Sequence, residues 1–478
     1  MNLFLPCRAA VLAVALFCTY RAVAADSIEA KAGQFDLDRT KRVLTQLIEK
    51  ALKEKGVPSI SIALVRGDEI IWKAAFGYAN VRTKTPATPE TIYNTGSTFK
   101  SVTAAGLMQL AEQGKFKLDD PIGSYLGNLK LGDPPYIDQP VTFAHLLSHW
   151  SGLTTKAGVQ EAGMKPIWSR EPRKALEQIV PELTPTHPPG TRFEYNNNGY
   201  GLAGLLLERI SGVEYEKYLY DNVLKPLGIA TEHFIQPSPE MVELMALPYS
   251  VAGPTLPPRP TAQVYTDSFP AGNAHLTAGA MARFLGAQIN GGAFQGKRIL
   301  SVESVRQMQQ ARFDGNYGFG FRTHRTAHGG TLIRHTGRLP GMSALMMGDI
   351  ESHVGVYYMA NATDVPSDIA DAAIALLRGD PYPPLERQAI QVQPHILSRY
   401  AGTYLRGDDV FDVTQEDGKL FIQKNGKKKA ELLAETPTIF FLKGDPASVS
   451  FEASAAGEID RMLIFEADWQ LKVAKKRQ

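Results

Sequence analysis

The chain has 478 residues, of which 44% are hydrophobic and 21% are charged, and its formal net charge is +2. The length fits two or three domains, and the composition is that of an ordinary globular protein with enough apolar residues for a core. Because acidic and basic residues almost balance, the chain lacks the basic surface charge of a nucleic-acid-binding protein.

Residues 1–24 have the pattern of a secretory signal peptide. Arg8 gives a short basic start, the stretch AAVLAVALFCTY is apolar, and the small residues AVA precede Ala25. We therefore expect cleavage after Ala24 and a periplasmic or secreted mature protein. No later apolar run approaches the ~20 residues that a membrane-spanning helix needs, so we expect no membrane span.

The cysteines agree with an exported protein. Cys7 and Cys18 both lie in the leader, so the mature chain is expected to contain no thiol. This excludes disulfides, thiol catalysis and thiolate metal sites, and it suits an oxidising compartment such as the periplasm. The leader also holds two of the 51 basic residues, Arg8 and Arg21, and no acidic one, which leaves 49 of each sign.

The first part of the mature chain predicts a helix, a hairpin and a second helix. FDLDRTKRVLTQLIEKALKEKG has apolar residues at helical spacing and ends at Gly56. SISIALVRGDEIIWKAAFGYAN predicts two strands around a turn at residues 66–68. YNTGSTFKSVTAAGL follows as a tight turn at Gly96 and a buried helix that runs to about Gln113.

Helices and then strands fill the middle of the chain. Residues 115–315 contain helical stretches such as GLAGLLLERISG and AGAMARFLGAQIN between Pro-rich loops. Strands return as YGFGFRT, TLIRHTG, MSALMMGD and HVGVYYMANA, and the helix SDIADAAIALLRG follows. Strands at both ends with helices between them predict one α+β domain at residues 25–380, whose sheet is assembled from distant segments.

A second domain is predicted at residues 390–478. The prolines of GDPYPPLERQ cannot continue a helix, so we expect a linker at residues 381–389. Beyond it the chain consists of short strands with turns at EDGK, KNGKK, GDPAS and SAAG. This spacing is typical of a small antiparallel β-barrel or sandwich.

Ser97 and Lys100 form the first candidate catalytic pair. Residues three apart share one face of a helix, so the amine can reach the hydroxyl. A helix N-terminus favours developing negative charge, and the arrangement can activate a serine nucleophile. The alternative is a simple helix cap, because serine is common at helix N-termini and S-x-x-K also occurs by chance.

Two later segments carry further polar groups. Tyr195 and Asn197 lie two residues apart in HPPGTRFEYNNNGYGLAG, ahead of a helix. A tyrosine hydroxyl can transfer a proton, and an asparagine amide can hold both a carbonyl and a lysine. The alternative is a solvated loop with a packing tyrosine.

His335, Thr336 and Gly337 end an apolar strand, and a substrate could pair with the edge of this strand. The alternative is a plain strand end.

Together, S-x-x-K, Y-x-N and a basic residue followed by Thr-Gly resemble the motifs of the penicillin-recognising serine hydrolases. LLSHWSGL, PGTRFEYNNNGYGLAG, YGFGF and HTGRLPGMS are similar to further motifs of the class C β-lactamase-like branch, with its D,D-carboxypeptidases, D-aminopeptidases and esterases. The resemblance covers residues 40–378. It implies a β-lactamase/transpeptidase-like fold with an antiparallel sheet flanked by helices and an all-helical region. The segment from LSRYAGTYL onward resembles the lipocalin-like domain often appended to these hydrolases.

The resemblance also implies a role for each motif residue. Ser97 would be the acylated nucleophile, and Lys100 would help to deprotonate it. Tyr195 would pass a proton to the leaving group and later help to activate water, while Asn197 would orient the substrate and Lys100. The backbone N–H groups of Ser97 and Arg338 would form the oxyanion hole.

Two residues depart from the family pattern. His335 stands where lysine is usual, and a mostly neutral imidazole does less to keep Tyr195 ionised, so Lys100 is the predicted base for acylation. Arg338 follows Gly337, where a small residue is usual. Its guanidinium could bind a substrate carboxylate, or it could point to solvent or meet an acid in the fold.

These features predict an exported serine hydrolase, most consistent with a peptidase or amidase on small peptides that contain D-residues, because HTG resembles the form found in D,D-carboxypeptidases. A carboxylesterase or β-lactamase of the same family is the alternative enzyme. A penicillin-binding protein without turnover, or a ligand-binding protein, is the alternative of another class. The predicted partner is a small molecule or short peptide, with no nucleic acid, no cofactor and no metal, and the oligomeric state is left open.

Overall fold

A computed structural model describes residues 35–132, 139–155, 164–166, 176–262, 264–266, 268–313, 315–326, 330–364, 366–380, 382, 389–442, 447–454, 456–466 and 469–477. The predicted signal peptide and, apart from residues 382 and 389, the predicted linker lie outside the described residues. Within these ranges, no helix has both the length and the apolar character needed to cross a membrane.

A seven-stranded antiparallel sheet forms the centre of the first domain. Its order is β4-β5-β6-β7-β1-β2-β3, and the strands are β1 (Ser59–Arg66), β2 (Glu69–Asn80), β3 (Thr85–Pro86), β4 (Arg322–Arg325), β5 (Thr331–Leu339), β6 (Met342–Asp349) and β7 (Val354–Ala360). Strand β1 pairs with β7, so that Ile60 lies opposite Ala360. The prediction of a sheet assembled from both ends of the domain is confirmed.

Helices cover both faces of this sheet and also form a separate helical region. They are α1 (Leu37–Lys55), α2 (Lys100–Glu112), α3 (Phe143–Leu147), α4 (Asn197–Ser211), α5 (Tyr215–Leu219), α6 (Pro239–Glu243), α7 (Ala278–Ile289), α8 (Val302–Gln309) and α9 (Asp368–Arg378), and a short helix, α10 (Pro394–Leu397), precedes the first strand of the barrel. Short paired strands connect them: Tyr93–Asn94 with His275–Leu276, Leu153–Thr155 with Leu183–Pro185, Met164–Pro166 with Val264–Thr266, Tyr249–Ser250 with Arg259–Pro260, and Ala293–Phe294 with Lys297–Arg298.

The apolar run of β1 is explained by burial on both of its faces. Ile62 and Leu64 pack with α1 and α9 in one core. Ala63 and Val65 face the opposite way and pack with α2, α4 and α7 in a second core. Successive side chains of a strand point to opposite faces, so a strand between two layers of helices is apolar throughout.

Sequence signals also account for the helix ends. The Asp36 side chain accepts a hydrogen bond from the Arg39 N–H and caps α1, which ends at Gly56 with φ +72°. Asn196 caps α4 by accepting the Gly199 N–H at 3.0 Å. A side-chain acceptor at the N-terminus and a left-handed glycine at the C-terminus satisfy backbone groups that the helix itself leaves unpaired.

The predicted strand YGFGFRT is a strand only at its end, because β4 begins at Arg322. Gly320 has φ +85°, and a Cβ there would lie 2.4 Å from Ser101 Cα, so this segment packs its backbone on α2 instead of extending β4. The pairing of β4 with β5 therefore stops at Arg322 and Arg334. The β4-facing edge of β5 beyond Arg334 is consequently free of strand pairing with β4.

The second domain is a closed antiparallel barrel of eight strands, which confirms the predicted barrel. The strands are Gly402–Arg406, Asp409–Glu416, Lys419–Lys424, Ala430–Ala434, Ile439–Phe441, Ser448–Ala453, Ile459–Glu466 and Trp469–Lys476. Its interior holds a cluster of buried side chains that includes Tyr400, Phe440, Phe451 and Met462. The rings of Tyr400 and Phe451 stack with centroids 4.6 Å apart. An ion pair of 2.7 Å between Arg325 and Glu452 links β4 to the barrel.

Strand β5 approaches the turn before α2 so closely that no side chain fits at Gly337. A Cβ at Gly337 would lie 2.1 Å from the carbonyl oxygen of Thr95. Real Cβ atoms do not approach a backbone oxygen so closely, and both partners are backbone, so neither can rotate away. The glycine therefore allows the sheet and the turn to be in direct contact.

We expect Gly337→Ala to destabilise the protein by roughly 1–3 kcal/mol, the usual cost of forcing an extra methyl group into a packed site. The melting temperature or the denaturant midpoint measures this loss. Gly123→Ala is the matched control, because a Cβ at Gly123 meets nothing within 4 Å. Equal stability of the two variants would contradict the close approach of β5 to the turn.

Candidate active site

The turn before α2 holds Ser97 at the start of the helix. Gly96 has φ +52°, a conformation that favours glycine, and its N–H donates to Asn94 Oδ1 at 2.9 Å. The Thr98 hydroxyl donates to the carbonyl of Thr95 at 2.8 Å. Ser97 is half-buried, whereas Gly96 and Thr98 are buried. The turn thus fixes its own backbone and leaves Ser97 partly exposed.

Close backbone packing surrounds this turn. A Cβ at Gly96 would lie 2.6 Å from the backbone nitrogen of Arg338, and a Cβ at Gly272 would lie 2.7 Å from that of Ser97. The absence of side chains at these glycines lets three backbone segments meet. The N–H of Arg338 is thereby placed next to the Ser97 turn, where the family resemblance implies an oxyanion hole.

Lys100 is entirely buried beneath Ser97. Its Nζ lies 3.1 Å from Ser97 Oγ, 2.8 Å from Asn197 Oδ1 and 2.6 Å from the carbonyl oxygen of Ala271. All three partners are uncharged. Burial lowers the pKa of Lys100 well below its usual range, because the cation loses hydration and gains no opposite charge from the described part of the chain.

Tyr195 lies on the other side of the Ser97 hydroxyl. The centre of its ring is 4.8 Å from Lys100 Nζ, and its hydroxyl interacts with the side chain of Ser97. Burial raises the pKa of Tyr195, although the hydrogen bond with Ser97 and the nearby charge of Arg322 oppose this shift. The phenol therefore favours its protonated form and suits a proton donor better than a permanent phenolate.

The three consecutive asparagines have different partners. Asn196 caps α4, and its Nδ2 donates to the carbonyl of Leu153. Asn197, the first residue of α4, directs its Oδ1 at Lys100. Asn198 accepts a hydrogen bond from the Ser268 hydroxyl. The cap fixes the helix start, and the helix start then fixes the amide that contacts Lys100.

His335 is 5% exposed, and its imidazole turns toward the protein interior. Its Nδ1 is 2.7 Å from the carbonyl oxygen of Thr336 and therefore carries the proton, so Nε2 accepts from the Tyr317 hydroxyl at 2.8 Å. Burial, followed by the charge of Lys100, lowers the pKa of His335 to about 3. The imidazole is neutral and both of its nitrogens are occupied.

The remaining predicted residues lie along β5. Thr336 is exposed and Gly337 is buried against the turn. The exposed guanidinium of Arg338 forms an ion pair of 2.8 Å with Asp364. Of the alternatives considered for Arg338, the structure therefore has the one in which its charge meets an acid of the fold. The structure thus brings Ser97, Lys100, Tyr195 and Asn197 into one cluster beside the strand that carries residues 335–338.

Sequence reasoning missed several residues that support this cluster. Tyr317 holds His335, the carbonyl of Ala271 holds Lys100, and the ring of His149 lies 4.3 Å from the ring of Tyr195. Tyr317 and His149 belong to the motifs YGFGF and LLSHWSGL, which gave a signal of family resemblance but no role. Ala271 contributes only its backbone carbonyl, and every residue has one, so the sequence gives no signal for this contact.

The site contains no evident place for a metal ion. Among the residues that the structure describes, no group of three or more His, Cys, Asp or Glu side chains is arranged to bind one. The groups around Ser97 are an amine, a phenol, an amide and backbone N–H groups. These are suited to nucleophilic and acid–base chemistry at a carbonyl group.

Comparison with family models covers both domains. The model described as Beta-lactamase matches residues 44–379, and one described as a domain of unknown function (DUF3471) matches residues 386–477. The first match includes every residue of the cluster around Ser97. The second coincides with the segment that contains the barrel.

Individual proteins are also similar to this chain over most of its length. Penicillin-binding protein 4* of Bacillus subtilis (strain 168) is 26% identical over 438 residues, which are 87% of this chain and 94% of that protein. The octameric penicillin-binding protein homologue from Pyrococcus abyssi has a TM-score of 0.58 at 25% identity and covers 92% of this chain and 100% of its own. The D-amino acid amidase from Ochrobactrum anthropi SV3 has a TM-score of 0.56 at 25% identity, with 71% and 97% covered.

A further match covers a smaller part of the chain. Protein flp of Staphylococcus aureus (strain N315) is 23% identical over 325 residues, which are 66% of this chain and 62% of that protein. The family model itself spans more than half of the chain and includes the motifs that carry Ser97, Tyr195 and His335. The chain therefore belongs to the Beta-lactamase family of serine hydrolases.

Proposed function

We propose that this chain is an exported serine hydrolase that forms an acyl-enzyme on Ser97 and cleaves amides or small peptides containing D-residues. The proposal rests above all on the surroundings of Lys100. A serine hydroxyl is a weak nucleophile until a neighbouring base takes its proton. The question is therefore whether the buried amine beside Ser97 can act as that base.

The hydrogen bonds of Lys100 suit a neutral amine, which has two N–H bonds and one lone pair. The oxygens of Asn197 and Ala271 are acceptors only, and they can take both N–H bonds. The lone pair is then left for the Ser97 hydroxyl, 3.1 Å away. The lowered pKa of Lys100 favours this uncharged form. This is the single observation that carries the proposal.

In the acylation step, Ser97 Oγ forms a bond with the carbonyl carbon of the substrate, and its proton passes to Lys100 Nζ. The carbonyl π electrons move to the oxygen. The backbone N–H groups of Ser97 and Arg338 are the proposed donors to this oxyanion. One such donor contributes about 3–4 kcal/mol of transition-state stabilisation in other hydrolases.

As the bond between carbon and leaving nitrogen breaks, the Tyr195 hydroxyl gives its proton to that nitrogen. The ammonium of Lys100 supplies the replacement proton to the Tyr195 oxygen, so both residues return to their starting states. Water then attacks the acyl-enzyme and loses one proton to the pair of Lys100 and Tyr195. That proton returns to Ser97 Oγ when the acid product leaves.

The charges along β5 guide the proposed substrate class. The imidazole of His335 is neutral and hydrogen-bonded to Tyr317, and the guanidinium of Arg338 is paired with Asp364. Neither therefore offers an unengaged cation to a substrate carboxylate. An uncharged amide is expected to suit the strand edge better than a β-lactam with its fixed carboxylate. The similarity to a D-amino acid amidase supports the same choice.

Export is part of the proposal on sequence grounds. Residues 1–24 have the order of basic, apolar and small residues that signal peptidases recognise. Both cysteines of the chain lie within that segment. Secretion of the chain with loss of these residues is therefore expected, and the barrel would accompany the hydrolase domain to the same compartment.

We expect Ser97→Ala to abolish covalent labelling by a fluorophosphonate probe and to remove turnover, because no other group replaces the acylated oxygen. Intact-mass analysis measures the labelling. Ser101→Ala is the matched control, since this hydroxyl lies one turn further along α2 and bonds only the carbonyl of Thr98 among the contacts described. Labelling of Ser97→Ala at the wild-type rate would show that another residue is the nucleophile.

The substrate class is tested by comparing kcat/KM for a D-alanyl amide, a nitrophenyl ester and a chromogenic cephalosporin. We expect the amide and the ester to be cleaved and the cephalosporin to be turned over poorly. A cephalosporin preferred by tenfold or more, about 1.4 kcal/mol in transition-state free energy, would identify a β-lactamase instead. Ester cleavage without amide cleavage would identify a carboxylesterase, and acylation without turnover a penicillin-binding protein.

A further inference from the structure

His149 contacts the backbone on both sides of Tyr195. Its carbonyl oxygen accepts the N–H of Glu194 at 2.8 Å, and its Nδ1 accepts the N–H of Asn196 at 3.0 Å. Its ring also lies against the Tyr195 ring, with centroids 4.3 Å apart and planes at 37°. One residue thus holds the backbone N–H groups of Glu194 and Asn196, on either side of Tyr195, as well as the tyrosine ring itself.

Two features of His149 oppose stability. The residue has φ +66°, in the left-handed region that only a few per cent of non-glycine residues adopt. Since Nδ1 accepts a hydrogen bond, the proton is on Nε2. That atom is buried and has no acceptor among the described residues. A strained backbone and an unpaired buried N–H together mark a residue whose placement serves more than packing.

The neighbouring backbone is anchored without the imidazole. The Tyr200 hydroxyl donates to the carbonyl of Leu147 at 2.7 Å, and Asn196 Nδ2 donates to the carbonyl of Leu153. The N–H of Gly190 donates to the carbonyl of Trp150 at 2.8 Å. These contacts join the segment after α3 to the start of α4. The imidazole adds a specific constraint on Tyr195 to a framework that is already fixed.

We propose that His149 is a positioning residue that aims the Tyr195 hydroxyl at the leaving group, through its hydrogen bond to the Asn196 N–H and its ring contact with Tyr195. This inference rests on the proposed function, in which Tyr195 protonates the leaving nitrogen. His149 exchanges no proton in this scheme. Its loss should therefore slow acylation, which kcat/KM reports, only for substrates whose leaving group needs a proton from Tyr195.

Two substrates with the same acyl group separate this role from a structural one. The leaving nitrogen of D-alanine 4-nitroanilide must be protonated, whereas the 4-nitrophenolate of D-alanine 4-nitrophenyl ester leaves without a proton. For each protein, the ratio of kcat/KM for the anilide to kcat/KM for the ester is measured. Because the two values come from the same sample, loss of folded protein cancels in the ratio.

Two variants at position 149 test the side chain at a fixed backbone conformation. Glycine and asparagine both tolerate positive φ. His149→Gly removes the acceptor and the ring, and we expect the ratio to fall on the order of 10²-fold, the effect of a misplaced catalytic group. His149→Asn keeps an acceptor near the position of Nδ1, and we expect it to recover most of the ratio. If His149→Gly fails to fold, His149→Ala supplies the same comparison, because it also removes the acceptor and the ring.

Two further comparisons complete the experiment. Tyr195→Phe should lower the ratio on its own, and adding His149→Gly to it should lower the ratio no further, because the group that His149 aims is already absent. His353 is the matched control. It has φ +52°, its carbonyl accepts the N–H of Gly67, and its Nδ1 is 2.8 Å from the carbonyl oxygen of Ile289. His353→Gly should leave the ratio unchanged.

The outcomes distinguish this inference from the proposed function. If the Ser97→Ala variant hydrolyses both substrates as fast as the wild-type protein does, the proposed function is wrong, and this inference is wrong with it. If hydrolysis depends on Ser97 but His149→Gly and His149→Asn both leave the ratio at the wild-type value, the inference alone is wrong. An undiminished effect of His149→Gly in the Tyr195→Phe background would likewise exclude an action through Tyr195.

Discussion

The burial of one amine among uncharged oxygen atoms is the interaction on which the site depends. Lys100 has lost its hydration and has no carboxylate partner among the residues that the structure describes, so its cation is disfavoured. A charged lysine could only donate to Ser97, whereas a neutral one can take a proton from it. The fold holds the amine in place with one amide and one carbonyl oxygen, from Asn197 and Ala271. The desolvated amine is therefore both a cost to stability and the source of the proposed basicity.

Placing this amine requires backbone segments from distant parts of the chain to meet. The turn at Gly96, the loop at Gly272 and strand β5 at Gly337 approach one another at distances that a Cβ would prevent. Gly320 likewise allows a close backbone approach, where the segment before β4 crosses the start of α2. These contacts position the N–H groups of Ser97 and Arg338 and end the pairing of β4 with β5. The proposed oxyanion hole and the free strand edge thus have a common cause in close backbone packing.

The sequence predicted the layered α+β domain and the barrel because apolar periodicity and turn residues are local signals. The apolar run of β1 and the end of α1 at Gly56 are examples. It did not predict that YGFGFRT is mostly not a strand, since its alternating aromatic residues are typical of a strand and the approach of Gly320 to α2 is a tertiary contact. The motifs indicated Ser97, Lys100 and Tyr195 as a group. The carbonyl of Ala271 and the acid Asp364 that meets Arg338 carry no local signal, because each acts through a contact between remote segments.

The central claim is that Lys100 is uncharged under conditions in which an ordinary lysine is a cation. The most direct measurement is an NMR titration of the full chain labelled with ¹³C at the lysine side chains, with the Lys100 signal assigned by its loss in Lys100→Arg. The account predicts a titration midpoint well below the ordinary lysine value of about 10.4. A Lys100 signal that titrates at or above that value would contradict the account, because the amine would then be charged and unable to accept the proton of Ser97.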